Sequence, residues 1–168
     1  VQSLITSGNT VVIELFATWC GPCHQVIPHL SSLQQRFPNI TFISVSCLAS
    51  TKDTPDKLQA FLQKFSSQIS YRVGSDTTGA LQALATKYGV RGFPHAFVIS
   101  DGIVKFSGHP MEPNFESVLG EISSAAKKQE RVDAVKLLTE EQLNSSSIKE
   151  LKQILLDIRV SAEGCWKR

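Results

Sequence analysis

The chain has 168 residues, 42% of them hydrophobic and 19% charged, which suits one domain with a real core and a modest appendage. A formal net charge of +2 offers no electrostatic case for nucleic acid or an anionic membrane surface, and no apolar run approaches the roughly 18 residues of a membrane span. Four cysteines, Cys20, Cys23, Cys47 and Cys165, are too few for a disulfide scaffold.

Residues 10–17 predict a buried strand, apolar from Val11 to Ala17 except for Glu14. The strand delivers Cys20-Gly21-Pro22-Cys23 to a helix over 23–37. That helix carries Val26, Ile27, Leu30, Leu33 and Phe37 on one face, with Pro28 placed to kink it. A CxxC handed from a strand to a helix start is the pattern of a thiol redox site. Zinc sites share the spacing but usually need a second ligand pair, which is lacking, so no metal is expected.

Residues 40–46 alternate like a strand. Pro55 opens a helix through Phe65, and Ile69–Val73 reads as a short strand. Residues 78–88 read as a helix that Gly89 is placed to cap. His95–Ser100 and Ile103–Ser107 flank Asp101-Gly102, a two-residue hairpin signal. Residues 114–128 form a last helix with Phe115, Val118, Leu119 and Ile122 on its apolar face. Strands alternating with helices, then a hairpin, predict an α/β sheet covered on both faces. We therefore expect one domain over 1–128 and a helical tail over 129–168. In the tail, Ser147 and Glu150 form a capping box. It opens an amphipathic helix with Ile148, Leu151, Ile154, Leu155 and Ile158.

With these residues in place, the chain resembles the thioredoxin superfamily over about residues 8–125. The matching features are Trp19-Cys20-Gly21-Pro22-Cys23, the helix-kinking Pro28, Arg91-Gly92-Phe93-Pro94 ending in the family's cis-proline, Gly108 after the hairpin, and Glu14 at the family's buried acid. The stretch from Thr54 to Tyr88 adds a helix and a strand, as in the TlpA-like branch; nucleoredoxin and tryparedoxin are similar. The resemblance implies a three-layer α/β/α sandwich with an inserted helix and strand. The tail is similar, over Ile148–Asp157, to the first helix of the SAP-like domain of the ARMET neurotrophic-factor family. Ala162 stands where that family places the first cysteine of a CxxC ending at Cys165. An amphipathic docking helix over 148–159 is thus the expectation, rather than a complete disulfide-stapled domain.

The chemistry implied is dithiol–disulfide exchange on protein disulfides, with no bound cofactor and with electrons from a separate reductase or dithiol protein. Cys20, at the helix N-terminus, is the expected nucleophile and Cys23 the resolving thiol. Glu14 is the candidate proton acceptor for Cys23; a strand-end acid facing solvent is the alternative. Pro94, in the cis form, leaves Phe93 backbone groups free for a substrate strand. Trp19 reads as a rim aromatic contacting substrate or as plain packing, and Gly21 and Pro22 complete the substrate-facing turn.

His24 reads as a surface residue, His95 as pointing near the site or into the sheet, and Cys47 as a regulatory thiol or a small buried residue. The Gly-Pro pair leans toward a reductant. Rival readings are an adaptor docking through the tail and a secretory oxidase or isomerase. A reductant suits the cytosol, whereas the ARMET-like tail suits the endoplasmic reticulum or secretory pathway. The start at Val1 rather than Met leaves room for a removed leader or domain.

Overall fold

The structure, a computed structural model, describes residues 9–47 and 52–136. The elements run β1 (Thr10–Phe16), α1 (Gly21–Arg36), β2 (Ile40–Ser46), α2 (Pro55–Phe65), β3 (Arg72–Ser75), α3 (Ala80–Lys87), β4 (His95–Ser100), β5 (Ile103–Gly108) and α4 (Pro113–Lys136). The tail helix expected at 148–159 and Cys165 lie outside the described residues. The chain divides into two compact units between Ser123 and Ser124. The first holds the sheet and the candidate site; the described part of the second is the helical stretch 124–136.

The five strands lie in the order β3-β2-β1-β4-β5. β1, β2 and β3 are parallel, while β4 runs antiparallel to β1 and β5 antiparallel to β4. Side chains alternate across a strand, so β1 supplies both faces of the core. Val12 shares one core cluster with Val26, Leu30 and Leu33 of α1 and Phe115 and Leu119 of α4. Val11, Ile13 and Leu15 face the other way, toward Ala85 of α3. Phe16, on the α1 side, joins Ile27 and the buried face of α2, made by Leu58, Phe61 and Phe65. Sheet residues buried on both sides account for the near-continuous apolar run of β1.

Local signals explain most element ends. Thr54 caps α2 by accepting from the Lys57 N–H at 3.3 Å, and Pro55 follows at the first helical position. Asp101 and Gly102 take φ values of 52° and 73°, as a type I′ hairpin requires. Three elements depart from the sequence pattern. β3 lies at Arg72–Ser75 rather than 69–73, because Ser31 of α1 binds Gln68 and Ser70 instead: Ser31 Oγ donates to the Gln68 carbonyl and accepts from the Ser70 N–H. α3 begins at Ala80 rather than Thr78, since Asp76 takes the N–H groups of Thr78, Gly79 and Leu81. α4 continues to Lys136 rather than stopping at Lys128. Its charged run Lys127–Arg131 holds good helix formers and neither Gly nor Pro.

Candidate active site

β1 ends at a tight turn in which the Cys20 N–H donates to the Ala17 carbonyl at 3.0 Å. Cys20 is the N-cap of α1, with extended backbone (φ −80°, ψ 101°). Its Sγ accepts the Cys23 N–H at 3.2 Å. Pro22 in the first turn forfeits no helical hydrogen bond, because N–H groups there have no partner within the helix. Cys20 and Cys23 are joined in a disulfide, with Cα atoms 5.3 Å apart. Both are buried, so neither sulfur is open to solvent in the oxidised state.

Beneath the disulfide is a small cavity whose walls include Glu14, Cys23, Ser44 and Tyr71. The space open to a water's centre is about 10 Å³, the room one water needs. Glu14 of β1 pairs in register with Ser44 of β2 and is only 3% exposed. Burial raises its pKa from 4.5 to about 7, against a smaller downward pull from the Ser44 hydroxyl. Ser44 Oγ is itself buried and makes no direct hydrogen bond among the described residues, so burial dominates at Glu14. Tyr71, from the inserted segment, has its phenol pushed up by the same burial.

The Phe93–Pro94 bond is cis. Pro94 leads into β4, whose first residue, His95, lies opposite Leu15 near the end of β1. Phe93 is half-buried and packs against the cluster that contains Cys20 and Cys23 as well as the α3 cluster. Trp19 is 61% exposed, which rules out plain packing. Gly21 and Pro22 are exposed beside it. The structure therefore brings Glu14, Cys23 and Phe93 around one disulfide and leaves Trp19, Gly21 and Pro22 at its rim.

The structure also places three further residues singled out in the sequence, His24, His95 and Cys47, and adds Asp53. His24 is a packed residue rather than a surface one: its Nε2 lies 2.9 Å from the Thr18 carbonyl and its ring rests on Phe61 and Phe65. His95 sits on the Leu15 face of the sheet, opposite to Glu14. Its Nε2 is 3.0 Å from Ser107 Oγ, and burial holds its pKa below the ordinary value, with Glu112 opposing and His109 adding to the effect. Cys47 is buried, and burial together with Asp76, Glu14 and Asp53 pushes its thiol to about 11. Asp53, which no pattern marks, is buried and binds Thr18 and Ser46. The only local hint is an acid just before the cap of α2. Among the described residues no cluster of three His, Cys, Asp or Glu could hold a metal, and no helix is long and apolar enough to cross a membrane.

A family profile described as Thioredoxin-like matches residues 8–103. The chain belongs to the thioredoxin-like family. It is 30% identical over 115 residues to the thiol:disulfide interchange protein HelX of Rhodobacter capsulatus, a match covering 68% of this chain and 59% of that one. It is 42% identical over 45 residues to thioredoxin Asp f 28 of Aspergillus fumigatus, covering 27% of this chain and 42% of that one. The chain thus spans less than two thirds of each of these relatives. A thiol-disulfide isomerase from Corynebacterium glutamicum shares the fold at a TM-score of 0.59 and 20% identity, over 74% of this chain and 86% of that one.

Proposed function

We propose that this thioredoxin-like chain is a protein thiol–disulfide oxidoreductase that works as a reductant. The observation that carries the reading is Cys20 Sγ accepting the Cys23 amide of α1, while Cys23 itself lines the cavity of buried Glu14. In the reduced protein that amide and the helix N-terminus favour the Cys20 thiolate, as in CxxC sites where the thiol pKa falls from about 8.5 to roughly 7. The thiolate attacks one sulfur of a substrate disulfide. That bond breaks, the other substrate sulfur leaves as a thiolate and takes a proton from water, and a mixed disulfide remains on Cys20.

Cys23 then gives its proton to Glu14, directly or through one water in the cavity beneath it, and attacks Cys20 Sγ. The substrate departs with two electrons gained and the Cys20–Cys23 bond forms. A carboxyl with a pKa near 7 is well matched to this transfer, since it is largely able both to accept and to release a proton at neutral pH. A separate dithiol protein or reductase restores the pair. Trp19, Gly21, Pro22 and Phe93 form the surface we assign to substrate, with the buried Pro94 setting the course of the chain behind Phe93, and the 148–159 segment, from its sequence pattern, is assigned to partner docking. Such a reductant suits a reducing cytosol.

The test is reduction of insulin disulfides with dithiothreitol as electron source, together with the Cys20–Cys23 potential against glutathione. We expect catalysis that Cys20→Ser abolishes, and a potential near or below about −250 mV. Equal rates for wild type and Cys20→Ser would overturn the activity. A potential near about −180 mV or higher would reverse the direction and move the compartment to the secretory pathway.

A further inference from the structure

Thr18 stands two residues before Cys20, and all three of its polar groups are held. Its N–H donates to Asp53 Oδ2 at 2.8 Å and its hydroxyl donates to Asp53 Oδ1. Its carbonyl lies 2.9 Å from His24 Nε2; a carbonyl only accepts, so Nε2 carries the proton in this contact. Asp53 is itself anchored, because its Oδ2 also accepts from Ser46 Oγ at 2.9 Å, at the end of β2. The His24 ring is fixed by Phe65 and Phe61, with centroids 5.0 and 5.5 Å away.

Both holders lead to the same element. Asp53 immediately precedes Thr54, the cap of α2, and Phe61 and Phe65 lie on the buried face of α2. This helix is part of the segment inserted between β2 and α3. The hydrogen bond from Cys23 N–H to Cys20 Sγ depends steeply on distance and angle. In the oxidised protein the disulfide also ties Cys20 to α1. Once that bond is reduced, the backbone leading into Cys20 must hold the sulfur at the helix amide.

We propose that α2 splints the loop that carries Cys20, with Asp53, Thr18 and His24 as positioning residues that keep the reduced Cys20 sulfur at the N-terminus of α1. The proposal rests on the reading of Cys20 as the attacking thiolate. It assigns the inserted helix a part in setting nucleophile reactivity rather than stability alone.

The experiment follows alkylation of Cys20 by iodoacetamide across pH in the reduced full chain, resolved by peptide mass. Thr18→Val removes the hydroxyl without a change of charge, and Thr18→Ser restores it. His24→Phe keeps a ring on Phe61 and Phe65 while removing the donor. Loss of one hydrogen bond is expected to raise the apparent Cys20 pKa by about half a unit and slow alkylation at neutral pH about twofold in Thr18→Val and His24→Phe. Thr18→Ser should follow wild type. A depressed wild-type pKa with unmoved variants overturns the splint and leaves the activity standing. Variants that lose thermal stability but keep the wild-type alkylation profile also overturn it, since their role is then structural. A wild-type Cys20 with an ordinary thiol pKa overturns the reading of the nucleophile and the splint with it.

Discussion

Replacing Glu14 with Gln removes a charge from a site that disfavours it, and the consequence for stability has a definite sign. Glu14 is 3% exposed and its pKa stands at about 7 instead of 4.5. A group whose folded pKa is raised binds its proton more tightly in the native state than in the unfolded one. For a carboxyl, that contribution is fully present below pH 4.5, is lost as the pH climbs to about 7, and stays lost above it. At about 1.4 kcal/mol per pH unit, the loss at pH 8 is about 3 kcal/mol. Glu14→Gln keeps the volume and hydrogen-bonding capacity of the protonated acid and carries no such loss. Urea unfolding of the oxidised proteins, run in parallel from pH 4 to 9, isolates the effect because other titrating groups cancel in the difference. We expect near-equal stability at pH 4 and an advantage for Glu14→Gln of about 3 kcal/mol at pH 8. The same variant should slow breakdown of the mixed disulfide at neutral pH by about tenfold or more, for want of a proton acceptor. A difference in stability that does not change with pH, or a wild type that is the more stable at pH 8, would refute the buried, proton-holding Glu14.

Other expectations follow from single observations. Trp19→Ala, at a residue 61% exposed, should leave stability within about 0.5 kcal/mol while lowering kcat/KM for protein disulfides; an unchanged kcat/KM removes Trp19 from the substrate surface. Cys47, with its thiol pushed to about 11, should resist alkylation at pH 8 in the folded protein and react on unfolding; full labelling of the native peptide, read by mass, would contradict its burial. Phe115→Ala empties a fully buried site whose ring lies 5.1 Å from Phe106 and should cost about 3–5 kcal/mol in urea unfolding. Gly89→Ala should cost about 1–2 kcal/mol through backbone conformation alone, because φ there is +66° and nothing lies within 4 Å of the added Cβ; a neutral result would place Gly89 outside the left-handed region.

The elements that sequence patterns located well are those with local causes. β1 is marked by its apolar run, β2 by alternation, α2 by Thr54 and Pro55, and the hairpin by Asp101-Gly102. The Cys20–Cys23 pair at the start of α1 is equally local, because its spacing, its turn residues and the helix that follows lie within a few residues. β3 was displaced from its apparent run because Ser31, 39 residues away, claims Ser70. No local rule carries that information.

The site divides along the same line. Sequence alone marked the side chains to which we assign the chemistry: two cysteines one helical turn apart, an acid within an apolar strand, and a proline ahead of β4. Tertiary structure alone decided their surroundings. Glu14 takes its raised pKa from burial where β2, α1 and the inserted segment meet, and Thr18 takes its hold from Asp53, 35 positions along the chain. His24 passes from surface residue to clamp because α2 brings two rings against it. Propensity, capping and turn chemistry act over one or two turns of chain and can be read residue by residue. Desolvation and hydrogen-bond geometry depend on what the fold packs against a group, and that exists only once distant segments have met.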